Sequence, residues 1–489
     1  MSHHDRRSFL QNSVLASAAA MSLGGARSLY AQEPAKSGGK SPNDRLHAAV
    51  VGVNGRGGSH VSSILDRSDV VISHICDIDE NVGASRSAKI GEKQGTVPEF
   101  VRDIRKLLED TSIDIVTIAT PNHWHSLGAL WAVQAGKDVY VEKPVSHNVS
   151  EGRRVVQAAR KHGRIVQTGT QCRSNPGMRD AMKFIHDGGI GDVKIARGLC
   201  YKRRPSIGAK GEYPIPPQVD YNLWLGPAPE KPLTRPKFHY DWHWQWDYGN
   251  GDLGNQGIHQ MDLCRWALNK TQLSDRVVSY GGRFGYVDAG ETANTQIIVH
   301  DFGTQQLVFE VRGLETPKLR DVGVGIIVEG TNGSLVMSSY DSGKAFDPDG
   351  KVIKEFSGGG DGHHWSNFIE AVRARDHKKL NADIEEGHLS SALCHLGNIS
   401  LRLGKQIEGG QMLDALKDFK GHEDMKATYG RTAEHLKANQ VDVDKTIFSL
   451  GQTLELDAKA ETFKSSDAAN SMLTREYRKP FVVPSEANI

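Results

Sequence analysis

The sequence predicts an α/β chain in two units: a parallel sheet with helices on both faces, then an α+β unit with a mainly antiparallel sheet. Three observations predict it. From Leu46 onward, short apolar runs alternate with helix-compatible segments, as a parallel sheet requires. The first run ends in a glycine-rich turn, Gly52-Val53-Asn54-Gly55-Arg56-Gly57-Gly58. After about Asp192, strand-like runs follow one another directly. Turn signals such as Thr331-Asn332-Gly333 separate them, which is the pattern of antiparallel pairing.

Composition sets the outer limits. The chain has 489 residues, enough for two or three domains. Its 60 basic and 59 acidic residues nearly cancel, so bulk charge argues for neither nucleic acid nor an anionic membrane as partner. The five cysteines, Cys76, Cys172, Cys200, Cys264 and Cys394, are odd in number and widely spaced. That speaks against a disulfide framework or a zinc site, and no metal is expected.

The N-terminus reads as a targeting segment. Arg6-Arg7-Ser8-Phe9-Leu10 precedes a mild apolar stretch, Val14 to Leu23, and Ala31 can end a cleaved piece. Paired arginines there point to the twin-arginine (Tat) export route. The expectation is a signal peptide over 1–31, a flexible leader over 32–45, and a soluble, periplasmic or otherwise exported mature protein that has engaged the Tat machinery.

The first domain is expected over 46–187. Leu46 to Val53 is a buried parallel strand in composition. A glycine turn between strand and helix lets backbone N–H groups and the helix N-terminus meet a pyrophosphate. Gly52 and Gly57 fit the first and third glycines of that motif, and Asn54 stands at the second. Gly55 and Arg56 complete the turn. The second strand, Val70 to Cys76, runs into Asp77, 20 residues after Gly57. A carboxylate there accepts from adenosine ribose hydroxyls and repels a 2′-phosphate, which favours NAD over NADP. The alternative role for Asp77 is a helix N-cap. Further strands are read at Ile113–Ala119, Asp138–Val141 and Arg164–Thr168, with helices at His125–Ala135 and Ser150–His162. This is a Rossmann dinucleotide-binding arrangement, with ligands at the carboxyl ends of the strands. The loops there carry Thr120, Pro121, Asn122 and His125, then Glu142-Lys143-Pro144.

Three segments in order, TPNHWH (120–125), VEKP (141–144) and GNGDLGNQGIHQMD (249–262), resemble the Gfo/Idh/MocA oxidoreductases, the family of glucose–fructose oxidoreductase and inositol dehydrogenase. The resemblance covers roughly Leu46 to Lys405. It implies that Lys143 lies beside the nicotinamide and the substrate hydroxyl, and that His259 is the catalytic histidine. It also implies an open C-terminal sheet, one face covering the cofactor cleft and the other available for a homo-oligomer. Where the family commonly has an aspartate four residues before the histidine, this chain has Asn255. On one helical face, Asn255, His259 and Asp262 stand at i, i+4 and i+7. Asn255 cannot ionise, so the carboxylate partner of His259 is Asp262 or another residue, and the alternative for His259 is a satisfied interior histidine.

The second domain is expected over 188–412, with strands at Val277–Val287, Asn294–Asp301, Gln305–Arg312, Val322–Glu329 and Ser334–Met337. Helices return at His363–Arg375 and Asp383–Leu403. Residues 413–489 are expected to wrap the surface. Phe238 to Tyr248, FHYDWHWQWDY, is dense in aromatics that stack on sugar C–H faces, with Trp242 and Trp244 as candidates. The alternative is packing between domains. Arg173, Lys202, Arg203 and Arg204 are candidates for a carboxylate or sulfate on the ligand, and the alternative is a solvated face.

These signs make the chain an exported NAD-dependent oxidoreductase acting on a sugar or polyol hydroxyl, with a cofactor loaded before export and recycled internally. A second expectation is an NAD-dependent glycoside hydrolase working by transient oxidation and elimination, with Tyr201, Tyr240 or His243 as an extra base. A third is a non-catalytic sugar-binding protein, motivated by Asn54 and Asn255.

Overall fold

The structure, a computed structural model, describes residues 45–417, 419 and 421–489. The expected export signal and nearly all of the leader lie outside the described residues.

The first sheet has six parallel strands: β1 (Leu46–Val51), β2 (Val70–Cys76), β3 (Glu99–Val101), β4 (Ile115–Ile118), β5 (Asp138–Val141) and β6 (Val166–Thr168). Their order is β3-β2-β1-β4-β5-β6. Period-two alternation explains the layers. Ala48 and Val50 of β1 face α1 (Arg56–Leu65), while Ala49 and Val51 face α4 (Asn122–Gln134). Between these helices come α2 (Glu80–Gln94) and the short α3 (Ile104–Leu107), and α5 (Val149–Lys161) follows β5. The order reverses at β1 and β4, so the loops after them part and leave a crevice.

Among the described residues the second sheet has twelve strands. Its main path is β14-β13-β12-β11-β7-β10-β9-β8-β16-β15. β8 (Arg276–Gly282), β9 (Thr295–Asp301) and β10 (Gln306–Arg312) form an antiparallel meander. β11 (Val324–Gly330) to β14 (Val352–Phe356) form another, through β12 (Gly333–Met337) and β13 (Gly343–Phe346). The sequence reading missed β7 (Val193–Tyr201). It inserts between β10 and β11 and pairs parallel with β10, the one parallel pairing among the described strands of this sheet. One face buries α6 (Pro176–His186), α9 (Gly257–Ala267) and α11 (Ile384–Arg402).

The other face departs from the expected open surface. Ile195, Val278, Val299 and Val308 are covered by Met412, Leu416, Met425, Tyr429, Leu436 and Phe448 of the same chain. Residues from 405 onward therefore extend the sheet through β15 (Lys405–Glu408) and β16 (Ile447–Leu450) and roof it with a helix at Met425–Ala438. The last residues dock elsewhere: Phe481 packs its ring on Trp124 and Trp131 of α4. No helix among the described residues is long and apolar enough to cross a membrane.

Candidate active site

A cavity of about 330 Å³ opens at the carboxyl ends of β1, β2, β4 and β5. Gly52, Asn54, Gly55, Arg56, Asp77, Thr120, Pro121, Asn122, His125, Glu142 and Lys143 line it. Gly57 stands behind the lining, and sterics explain why both outer glycines are needed. Gly52 has φ +80°, and a Cβ there would meet the Ala119 carbonyl at 2.9 Å. A Cβ on Gly57 would lie 1.8 Å from the Gly52 carbonyl oxygen. Gly55 has nothing within 4 Å of that position.

The donor set fits a dinucleotide. No side chain among the described residues caps the first turn of α1, and while the Gly58 N–H donates to the Gly55 carbonyl, the start of the helix still presents N–H groups to an anion. Asp77 accepts from the Val53 N–H at 2.8 Å and the Asp79 N–H at 3.0 Å. Burial raises its pKa, opposed by those two bonds. The α2 N-cap falls on Asp79, which accepts from the Val82 N–H, so Asp77 is not spent as a cap. Buried Thr120 Oγ1 and Asn122 Nδ2 have no partner among the described residues, and both residues line the cleft. Arg102, which the sequence reading did not single out, lines it as well.

Glu142 is a wall of the cleft rather than a free ligand. It accepts from Arg56 Nε at 2.9 Å and lies 3.1 Å from His60 Nε2. Burial alone would raise its pKa, but the His60 hydrogen bond and the Arg56 charge hold it well below the carboxylate range. A Cβ on Gly169 would sit 2.8 Å from this carboxylate, so the glycine after β6 makes room for it. His125 has the Pro144 carbonyl 2.6 Å from Nδ1 and the Thr120 carbonyl 2.8 Å from Nε2. Its ring thereby ties the two loops of the cleft together.

The second domain reaches this cleft through residues 249–267. They form α8 (Gly251–Asn255) and α9, broken at Gln256. Lys143 Nζ donates to the Asn255 backbone carbonyl at 2.9 Å, so the two domains meet at the expected pair of segments. Asn255 lines the cleft. His259 lies one turn deeper, 5% exposed, with its ring 5.1 Å from Tyr340 and its Nδ1 buried without a partner among the described residues. Burial, reinforced by the Lys143 charge, holds its pKa well below the usual histidine range. Burial likewise lowers the Lys143 pKa, against Glu142 and with Arg56, Lys202 and Arg204.

Four expected roles do not survive the geometry. Asp262 does not orient His259: its oxygens accept from both arms of Arg173 at 2.7 and 2.9 Å and from Ser390 at 2.7 Å. The same fork removes Arg173 as a substrate ligand, since it is buried between Asp262 and Glu386 with its guanidinium over Trp266. Trp244 is buried beneath Arg204 and stays out of the cleft, whereas Trp242 lines it, stacked 3.6 Å on His243. Tyr201 donates its hydroxyl to buried Glu310 at 2.6 Å and is no candidate base. Tyr240 and His243 do line the cleft.

The aromatic stretch therefore serves both readings at once. Trp224, His239, Tyr240, Trp242 and His243 cover the cleft, while Phe238 and Tyr248 pack with Trp224 into a small core. This cover is pinned to the first domain by His123 and Trp124, whose ring nitrogens meet the Trp224 carbonyl at 2.9 and 3.0 Å. Arg478 donates to the Gly226 and Asn222 carbonyls from the other side. The sequence offered no signal for Tyr340, which sits in the turn between β12 and β13.

Comparison with known proteins agrees with this architecture. Residues 46–170 match the model of the oxidoreductase family with an NAD-binding Rossmann fold, and 208–425 match that family's C-terminal alpha/beta domain. The chain belongs to the Gfo/Idh/MocA oxidoreductase family, and its N-terminal domain is an NAD-binding Rossmann domain. Levoglucosan dehydrogenase of Pseudarthrobacter phenanthrenivorans is 24% identical over 54% of this chain and 64% of its own length. Inositol 2-dehydrogenase of Salmonella typhimurium is 29% identical over 32% of this chain and 46% of its own. The chain thus spans about half to under two thirds of the length of these curated relatives. Among solved structures, levoglucosan dehydrogenase in complex with NADH and levoglucosan aligns at TM-score 0.57 and 17% identity, covering 72% of this chain and 95% of that one. The WlbA dehydrogenase of Bordetella pertussis, in complex with NADH and UDP-GlcNAcA, aligns at 0.55 and 19%, covering 71% and 94%.

Proposed function

We propose that this protein is an exported NAD-dependent oxidoreductase that acts on a sugar or polyol hydroxyl and keeps its cofactor through many turnovers. The observation that carries the reading is the Lys143–Asn255 contact at 2.9 Å, at the mouth of the dinucleotide cleft and one turn from His259. Bound NAD supplies the hydride acceptor. Lys143 donates to the substrate oxygen and stabilises the charge that develops there. His259, kept neutral by burial, takes the hydroxyl proton. The Asn255 amide, with no partner among the described residues, holds a neighbouring hydroxyl. Similarity to levoglucosan and inositol dehydrogenases supports a carbohydrate substrate.

Export is supported by Arg6-Arg7 before an apolar stretch. Outside the cytoplasm no free NAD pool refills the site, which supports a captive cofactor and redox-neutral chemistry over a full cycle. A second reading, a glycoside hydrolase that oxidises, eliminates and reduces again, is favoured by Tyr240 and His243. Both stand in the same cleft as Lys143, where an extra base is needed.

The test is to purify the protein from the exported fraction without added nucleotide, denature it and quantify released dinucleotide. A near-stoichiometric NAD content supports the captive cofactor. An empty protein that takes up and releases NAD freely refutes it, and recovery only from the cytoplasm refutes export.

A further inference from the structure

We propose that the sugar accepted here carries a negative charge and that Lys202 recognises it. The inference rests on the oxidoreductase reading above and names its substrate class.

The two segments that build the site, 142–144 and 249–262, carry three carboxylates, and each is matched. Glu142 accepts from Arg56 and meets His60. Asp252 accepts from the Arg204 fork at 2.7 and 2.8 Å. Asp262 accepts from Arg173. Two ammonium groups have no carboxylate among the described residues. Lys143 Nζ donates to the Asn255 carbonyl, and Lys202 Nζ to the Gln256 Oε1 at 3.1 Å. The two cations thus hang on consecutive residues, each on a neutral acceptor. A carboxylate at position 255 would balance one of them, and this chain has an amide there.

NAD does not account for the surplus at Lys202. The glycine turn and the start of α1 serve a pyrophosphate, whereas Lys202 stands on the Gln256 side of the site. Nor do the other cations near the site compete for the role. Arg173 and Arg204 are locked in buried pairs, and exposed Arg203 points to Glu315 at 3.4 Å. Lys202 alone of the four has no carboxylate partner among the described residues, and Gln256 and Tyr340 link it to His259. Gln256 then has a definite job. A lysine can only donate, so the amide oxygen faces Lys202 and its N–H faces the Tyr340 hydroxyl beside His259. An ammonium on a flexible stem accepts a carboxylate or a sulfate or phosphate ester with equal ease. The substrate class is therefore an acidic sugar: a uronate or an ester-bearing sugar.

The experiment titrates the NAD-loaded protein with glucose, glucuronate and glucose 6-sulfate, reading tryptophan fluorescence for binding and nicotinamide absorbance for hydride transfer. A charge-assisted hydrogen bond predicts a preference of at least about tenfold for one or both acidic sugars. In Lys202→Gln the ratio of acidic to neutral affinity should collapse toward one. Which acidic sugar binds distinguishes carboxylate from ester. Equal binding of all three sugars overturns the inference, as does a charge preference that survives Lys202→Gln. Charge-dependent binding without hydride transfer to any sugar overturns the oxidoreductase reading and leaves this inference standing. Hydride transfer without charge preference does the reverse.

Discussion

The cofactor side of the cleft and the substrate side are built from different materials. The first is a backbone surface: Gly52 and Gly57 are there because a Cβ has no room, and the uncapped start of α1 offers N–H groups. The second is a side-chain surface, and buried ion pairs decide which of its polar groups are free. Arg173 and Asp262, 89 residues apart, cancel each other, and what remains for chemistry is Lys143, Asn255, His259 and Lys202. On the cofactor side a residue's job follows from its local position. On the substrate side it follows from which distant partner reaches it.

The largest expected effect separates structural from reacting groups on the substrate side. Asp262→Ala leaves buried Arg173 with Glu386 alone and should cost up to about 3–5 kcal/mol of stability, read by urea unfolding. His259→Gln breaks no side-chain hydrogen bond among the described residues and should leave the unfolding midpoint nearly in place while turnover collapses. If Asp262→Ala unfolds like the parent but loses turnover, the division of labour drawn here is wrong.

Next comes Lys143→Ala. Removing the donor to a developing oxyanion should lower kcat by about 10²–10³ with dinucleotide content preserved. Full activity in that variant would remove Lys143 from the chemistry. On the cofactor side, Gly57→Ala forces a methyl to within 1.8 Å of a carbonyl oxygen, whereas Gly55→Ala meets nothing within 4 Å. Strain of about 1–3 kcal/mol should cost the first variant roughly tenfold or more in NAD affinity, and the second should bind as the parent does. Equal affinities would mean that the turn is not held by sterics.

Legibility in the sequence follows the same divide. β2 and β5 fall where the apolar runs place them, because fully buried parallel strands have nothing else to encode. The meander from β8 to β10 and the helices around 361–374 and 384–402 were equally visible from period and turn chemistry. β7 was not: Val193-Lys194-Ile195-Ala196-Arg197 carries a lysine and an arginine in what looks like a surface run. Arg197 is buried against Glu310 and Glu423, 113 and 226 residues away. The roof over the outer sheet face was hidden for a related reason. Its contacts come from scattered residues, Met412, Met425, Tyr429 and Phe448, within a polar stretch. The meeting of the segments that carry Lys143 and His259 was legible because motifs mark them. Asp262 was misread because helical spacing says which residues share a face, not which partner has already filled a carboxylate.

The smallest effect is a shift of pH profile, and it bears on the boundary between the two sides. Lys143 faces Glu142, Arg56, Lys202 and Arg204, and His259 faces Lys143, Glu142, Arg56 and Lys202. Both pKa values are depressed, by burial first. With a neutral His259 and a protonated Lys143 required, kcat/KM should stay level on the acid side well below the ordinary histidine range. It should begin to fall on the alkaline side before the ordinary lysine range. Lys202→Gln removes a positive charge that penalises protonation of both groups, so both pKa values rise. The acid limb and the alkaline limb should move to higher pH together, by less than about one unit for a charge at a solvent-exposed position. Movement of one limb alone would assign that limb to a group outside the pair. A profile that does not move would place Lys202 beyond electrostatic reach of the reacting groups and leave Arg56 and Arg204 as the cations that tune them.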